Sequence, residues 1–135
     1  MMDMMNMMNI MNMMKFFNIN NMPNNNQQKP GINLTRNRCN MPNDIGIGFI
    51  LNQGQLYNIV ANPYEKIGDV IVEFMNLLNV NMNFNQMSSH QIMFSFNSKN
   101  LAFHKNKTLI ELGIVNNSKI AVIDMNNILG GIYYR

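Results

Sequence analysis

Few side chains in this chain are equipped for chemistry, and they are scattered. Cys39 is the single cysteine, so an internal disulfide is excluded, and with it the stapled folds of small secreted proteins. It stands in a polar stretch with no histidine or acid beside it, which reads as an incidental free thiol. His90 precedes an alternating apolar run and His104 falls in a turn. Neither has metal-ligand spacing with Cys39 or the carboxylates. There is no Ser/His/Asp order, no phosphate loop and no pair of carboxylates placed for acid–base work. The expectation is a protein that is not an enzyme, with no cofactor, no metal and no small-molecule substrate. Residues 1–14 hold the remaining candidate chemistry, a Met-Met-polar triplet with Asp3, Asn6, Asn9 and Asn12 at the polar places, followed by Lys15. Thioether-rich tracts can hold Cu(I), and flexible Met surfaces can bind varied apolar partners. The plainer reading is a low-complexity tract. Its repeat of 3.0 residues lets a polar stripe drift around a helix of 3.6 residues per turn, so no single wet face is specified.

Composition divides the chain in two. Asn occurs 28 times and Met 16 times in 135 residues. The first 43 positions hold most of the Met and nearly half of the Asn, with little β-branched or aromatic content. From residue 18 to 43 the chain has Pro23, Pro30, Pro42 and Gly31 among many Asn, which is linker composition. Residues 1–43 are therefore expected to be disordered, since they lack the apolar variety that offsets the entropy of ordering. From Ile45 onward Ile, Val, Leu and Phe recur regularly. In residues 45–131 five lysines balance five acids, so the net charge of +3 falls at the ends. A nucleic-acid-binding domain carries its excess on the folded face, so no nucleic acid is expected. No run of about 20 apolar residues is present, so no membrane span is expected. The start of the chain shows neither a signal-peptide nor a transit-peptide pattern, and the expected compartment is cytoplasmic or nuclear.

The apolar periodicities set out the elements. Ile45, Ile47, Phe49 and Leu51 alternate with Gly46, Gly48 and Ile50, a strand pattern. After a turn at Asn52, Gln53 and Gly54, the alternation resumes with Tyr57, Ile59 and Ala61, which predicts a β-hairpin. The two strand glycines share a face that is either closely covered or bare. Asn62 is the candidate cap and Pro63 the first turn of a helix. Ile67, Val70, Ile71, Phe74, Leu77 and Leu78 then recur at helical steps, ending in the Asn-rich stretch 79–85. Gly68 inside it costs about 1 kcal/mol. A third strand is expected over residues 90–96, with Ile92, Phe94 and Phe96 on one face, then a Ser-Lys-Asn turn. Thr108 caps a short helical turn that Gly113 stops. The last strand covers residues 119–125.

The stretches PYEKIGDVIVEF (63–74), FSFNSKNL (94–101) and TLIELGIVNNSKIAVI (108–123) resemble, in that order, the helix start, third strand and closing segment of ubiquitin-like proteins. With Pro63 fixed, Gly54 falls on the family's hairpin-turn glycine without a gap. The resemblance implies an α+β fold, a ubiquitin-like β-grasp roll (ββαββ) over residues 44–131, with 132–135 as a short tail. It also implies protein partners. The positions matching the family's apolar receptor patch are Asn52, Ser95 and Ile123. Only Ile123 is apolar, and an interface core needs contiguous apolar anchors, so ordinary ubiquitin receptors are not expected to bind. Lys99 is the one clear match to a chain-linkage lysine. Gly130 and Gly131 match the family's conjugation terminus, where the absence of a Cβ lets a tail thread into an activating enzyme. They are followed by Ile132, Tyr133, Tyr134 and Arg135, and Ile128-Leu129 stands in place of the family's Leu-Arg lead-in. The leading expectation is a non-covalent interaction module, a small subunit of a larger assembly. The alternative is a modifier processed after Gly131.

Overall fold

Alternation from Ile45 to Ala61 builds the hairpin on which the other elements are laid. The structure, a computed structural model, describes residues 31–129. In chain order they form β1 (Ile32–Asn33), β2 (Ile45–Leu51), β3 (Leu56–Ala61), α1 (Ile67–Leu77), α2 (Phe84–Ser89), β4 (Ile92–Phe96), β5 (Lys99–Asn100), a 3-10 turn (Leu101–His104) and β6 (Ser118–Asp124). The sheet order is β1-β3-β2-β6-β4-β5. β2 and β3 pair antiparallel, β6 inserts parallel to β2, and β4 pairs antiparallel with both β6 and β5. A hairpin, a helix over one face, and the last strand, β6, seated parallel beside β2 make this an α+β, ubiquitin-like β-grasp. Gly54 adopts φ +95° in the hairpin turn, a conformation glycine takes without strain.

The core lies between α1 and one face of the sheet. Ile47, Phe49 and Leu51 from β2, Ile59 and Ala61 from β3, and Ile120 and Val122 from β6 meet Ile67, Val70, Ile71, Phe74 and Met75 from the helix, all of them buried. Phe49 stacks on Phe74 with ring centroids 4.1 Å apart, and Phe94 meets both edge-on.

Local capping differs from the expectation at α1. Asn62 caps a separate turn, accepting from the Tyr64 N–H at 2.9 Å, while Glu65 bonds back to the Asn62 N–H at 2.7 Å. The helix begins at Ile67, and its Lys66 cap makes no side-chain bond. The Ile67 and Gly68 N–H groups donate instead to the carbonyls of Lys107 and Lys105, at 2.8 and 2.9 Å. A distant loop thus satisfies the orphan donors of the helix start. That approach also explains Gly68, because a Cβ there would sit 2.8 Å from the Lys105 carbonyl oxygen. The Asn-rich stretch after α1 holds a second helix. Asn83 and Gln86 form a reciprocal capping box that starts α2, and Met87 is its buried residue.

Order also begins earlier than residue 44. Ile32 and Asn33 pair parallel with Tyr57 and Asn58 of β3. Arg36 then reaches back over the domain. Its Nε donates to Glu73, its Nη1 to Glu65 and the Val60 carbonyl, and its Nη2 to Glu65 and Glu73. All five N–H donors of the guanidinium are thereby used, and the side chain is only 6% exposed. Arg38 forms a fork with Asp44, with bonds of 3.0 and 3.1 Å. Residues 31–43 therefore belong to the folded unit, in contrast to the boundary expected from composition. Their charges pair inside it, giving residues 31–129 seven basic side chains against six acids. The expected disordered segment is otherwise residues 1–30, which lie outside the described ones.

Two substitutions test this account. Arg36→Met should destabilise the domain by about 2–3 kcal/mol in urea unfolding, since it leaves Glu65 and Glu73 half-buried without their partner. Arg36→Lys should recover less than half, because an ammonium cannot reproduce the planar fork. Gly68→Ala, which improves helix propensity by about 1 kcal/mol, should nevertheless lower stability by about 1–2 kcal/mol, because the new methyl presses on backbone.

Candidate interaction surfaces

The three positions that match the family's receptor patch lie at or near the sheet face opposite α1. Register places Leu56, Ile50, Ala121 and Ser95 in one row across β3, β2, β6 and β4, with Met93 and Ile123 as a neighbouring pair. Ser95 and Ile123 thus share this outer face. Asn52, in the turn after β2, accepts a bond from the Asp124 N–H at 3.3 Å. None of the three is open: Asn52 is half-buried, Ser95 is 6% exposed and Ile123 is fully buried. The two strand glycines also sit here. Gly48 is covered by the Lys119 stem and Leu56, and Gly46 donates to the Asn116 side chain at 2.7 Å.

At the C-terminal end, Gly130 and Gly131 lie outside the described residues. The residues before them are held. Asp124 is buried, and its carboxylate accepts from the Ile128 and Leu129 N–H groups at 2.9 and 2.6 Å. Backbone donors compensate the buried charge, and Leu129 is buried in the core. Lys99 is exposed on the two-residue strand β5. Cys39 is exposed. His90 shares its Nδ1 with the Gln86 carbonyl at 2.9 Å, and His104 ends the 3-10 turn. No group of three or more His, Cys, Asp or Glu that could hold a metal occurs among the described residues. Among them, too, no helix is long and apolar enough to cross a membrane.

One set of exposed side chains escaped the sequence reading. Val60, Tyr64, Ile110 and Val115 are all large, apolar and exposed. They fall at the end of the domain where β3 finishes and β6 begins. The Leu109 and Ile110 N–H groups donate to the Glu65 and Pro63 carbonyls, each at 3.0 Å, which sets the 108–113 turn beside Tyr64. The Asn117 N–H donates to the Gly46 carbonyl at 2.7 Å, which brings the Val115 loop to the strand end, where Gly46 pairs with Val60. Thr108 caps the turn as expected, its hydroxyl accepting from the Glu111 N–H, and Gly113 closes it at φ +77°; Glu111 adds a return bond, its Oε1 accepting from the Thr108 N–H and hydroxyl. These four residues are scattered over 56 positions of sequence, so no linear pattern marks them.

Charged groups beside this end are fixed by their hydrogen bonds. Burial alone would raise the Glu65 pKa, but the bonds from Arg36 and from the Asn62 N–H outweigh it and hold it below the usual 4.5. The Thr108 N–H and hydroxyl lower Glu111 likewise. Arg38 and then the Met41 N–H hold Asp44 below 3.8. For Arg36, burial works against the charged form, yet the bonds to Glu65 and Glu73 leave its pKa raised.

No family model matches this chain, and no curated protein matches it. Solved structures similar to it are ubiquitin-like. The UBL domain of Plasmodium falciparum Dsk2 is 12% identical, with 60% of this chain and 97% of that one covered and a TM-score of 0.47. A protein designed from ubiquitin is 15% identical, covering 64% and 94%, with a TM-score of 0.47. A chain of a pParkin–pUb–UbcH7 complex is 16% identical over 64% of this chain and 24% of its own length, at a TM-score of 0.49. The fold assignment stands on the strand order and register described above.

Depressed carboxylate pKa values fix the sign of the acid response. Glu65, Asp44 and Glu111 contribute stability that is present above their ordinary values of 4.5 and 3.8 and is lost as pH falls through the lower folded-state values. The urea midpoint should stay level from about pH 7 to about 5 and fall below that. Glu65→Gln should lower the midpoint at neutral pH and reduce the slope at acid pH.

Proposed function

We propose that this domain is a non-covalent protein-interaction module that docks through its Val60, Tyr64, Ile110 and Val115 end. The observation that carries the reading is that four large apolar side chains stand exposed together at one end. Such a set marks a contact surface more than chance does, and Tyr in particular is an effective anchor. Its framework is rigid, with the 108–113 turn bonded to residues 63–65 and capped by Glu111. The reading assigns no catalytic step to the chain and no cofactor.

The Gly130-Gly131 pair favours a second reading, a modifier processed and conjugated through Gly131. What weighs against it is the hold on the lead-in. An activating enzyme needs a free, extended tail, whereas Leu129 is buried and its N–H is bonded to Asp124 immediately before the pair.

Quantitative affinity capture from native extract should recover a stoichiometric partner with the natural chain. The double variant Tyr64→Ser with Val115→Ser should lose it at least tenfold while its melting temperature moves by no more than about 2 °C. Equal recovery by the variant, or no stable partner for either, would count against the proposal. Intact mass of the protein isolated from its cell should include Arg135. Forms ending at Gly131 together with heavier adducts would establish the modifier instead.

A further inference from the structure

Strand β4 is fully paired along one edge only. The Met125 N–H donates to the Gln91 carbonyl at 3.3 Å, and Met93 and Ser95 follow at steps of two, opposite Ile123 and Ala121 of β6. Successive residues of an antiparallel strand direct their backbone groups to opposite edges, so Ile92 and Phe94 turn theirs away from β6. On that side β5 meets only Ser95 and Phe96 before the chain enters the 3-10 turn at Leu101. The edge beside Ile92 therefore has no neighbouring strand among the described residues. Such an edge is a template for a further strand.

An open groove of about 700 Å³ follows this edge. It is bordered by β4, by α2 through Phe84 and Ser88, and by the 3-10 turn through Phe103. Phe103 is 73% exposed and Phe84 half-buried, so two aromatic rings offer apolar surface there. Lys105 also lines the groove, its Nζ 5.7 Å from the centroid of the Phe84 ring, a contact that leaves the ammonium at the surface. Residues 74–110, which include α2, β4, β5 and the 3-10 turn, hold Lys99, Lys105, Lys107, His90 and His104 and no acid. The ion pairs among the described residues all belong to Arg36 and Arg38. Asp124, opposite Ile92 on β6, is buried on the Ile128 and Leu129 N–H groups. No acid among the described residues thus answers the positive charge at the groove.

We propose that this groove takes up an extended, acidic peptide of a partner protein, which joins the edge of β4 as an added strand. Its backbone bonds to the Ile92 and Phe94 edge, its apolar side chains lie against Phe84 and Phe103, and its acids stand at the mouth beside Lys105. An extended chain is the occupant because its donors and acceptors match the spacing of a strand edge. Acids are called for because charge of opposite sign selects and steers a partner. Ile92 faces Asp124, at the far end of β6 from Val115, so this surface is separate from the Tyr64 end and does not rest on its docking role.

The test titrates the full chain with a fluorescein-labelled octapeptide of alternating valine and glutamate, followed by anisotropy and by amide NMR shifts. Binding with a Kd below about 1 mM is expected, with the largest shifts at Ile92, Phe94, Phe103 and Lys105. Lys105→Glu and Phe103→Ser should each weaken it about tenfold. Both side chains are exposed, so the melting temperature should move by no more than about 2 °C. Of two octapeptides N-methylated at the odd or the even amides, at least one should lose binding about tenfold, because a strand without its N–H donors cannot pair with the edge. Absence of binding at about 1 mM, equal binding of both N-methylated forms, or shifts confined to other faces would overturn the proposal. So would tighter binding of an oligouridylate, which carries the charge without a strand's backbone. The Tyr64→Ser with Val115→Ser variant should bind the octapeptide as the natural chain does, which separates failure of this groove from failure of the Tyr64 end.

Discussion

Phe49 and Phe74 lie face to face with centroids 4.1 Å apart, while Phe94 meets both rings at nearly a right angle. Three elements are fixed at this point: the first long strand, the helix and the strand that follows it. The pairing of β2 with β6 depends on that fixing. Parallel strands cannot be joined by a tight turn, so the chain must travel over one face before it returns. Here α1, α2, β4 and β5 all intervene between the two partners. The entropy of closing so long a loop is offset only when helix and sheet bury their apolar faces together. The aromatic cluster sits where that burial is centred, with Ile120 and Val122 of β6 in the same core.

Around this core, polar residues from far apart in the chain complete what local sequence leaves open. Lys105 and Lys107 supply carbonyls to the start of α1, in place of a capping side chain. Arg36 joins β3, the 62–65 turn and the helix through one guanidinium. Asp124 gathers the backbone of residues 128 and 129. Each is a buried or half-buried polar group with its partners supplied, and a polar group left without them costs more than the bond itself gains. The result is a β-grasp with an added edge strand, whose two ends are both tied to the domain.

Those ties redistribute the surfaces that a ubiquitin-like fold offers. The held Leu129 removes the freedom of the residues that lead to Gly130. Ser95 and Ile123, two of the positions expected from the resemblance to meet a partner, are buried. Tyr64, Ile110, Val115 and Val60 stand exposed at the end where β3 finishes and β6 begins, while Phe103, Met41, Ile32 and Met125 are exposed elsewhere. A shared fold therefore does not carry a shared function, because binding is decided by which side chains stand in water at which end of the sheet.

Much of this fold is legible in the residues alone. The alternation at Ile45–Leu51 and Leu56–Ala61, the helical recurrence from Ile67 and the capping of the 108–113 turn by Thr108 are local patterns, and the structure keeps them at or near the expected positions. Local periodicity and turn chemistry act over a few residues, so sequence determines them directly. Composition misjudged residues 31–43 because a single arginine with three partners outweighs a polar, proline-containing context, and those partners lie 24 to 37 positions away. Asn83 to Gln86 was readable as a capping box, but the surrounding Asn masked it. Gly68 is unfavourable in a helix by propensity alone, and only the Lys105 carbonyl packed beside it, distant in sequence, accounts for it. What sequence determined by itself is the order and type of the main elements. Tertiary structure alone decided which faces are closed and which are open, since burial depends on neighbours brought together by the fold and not on neighbours along the chain.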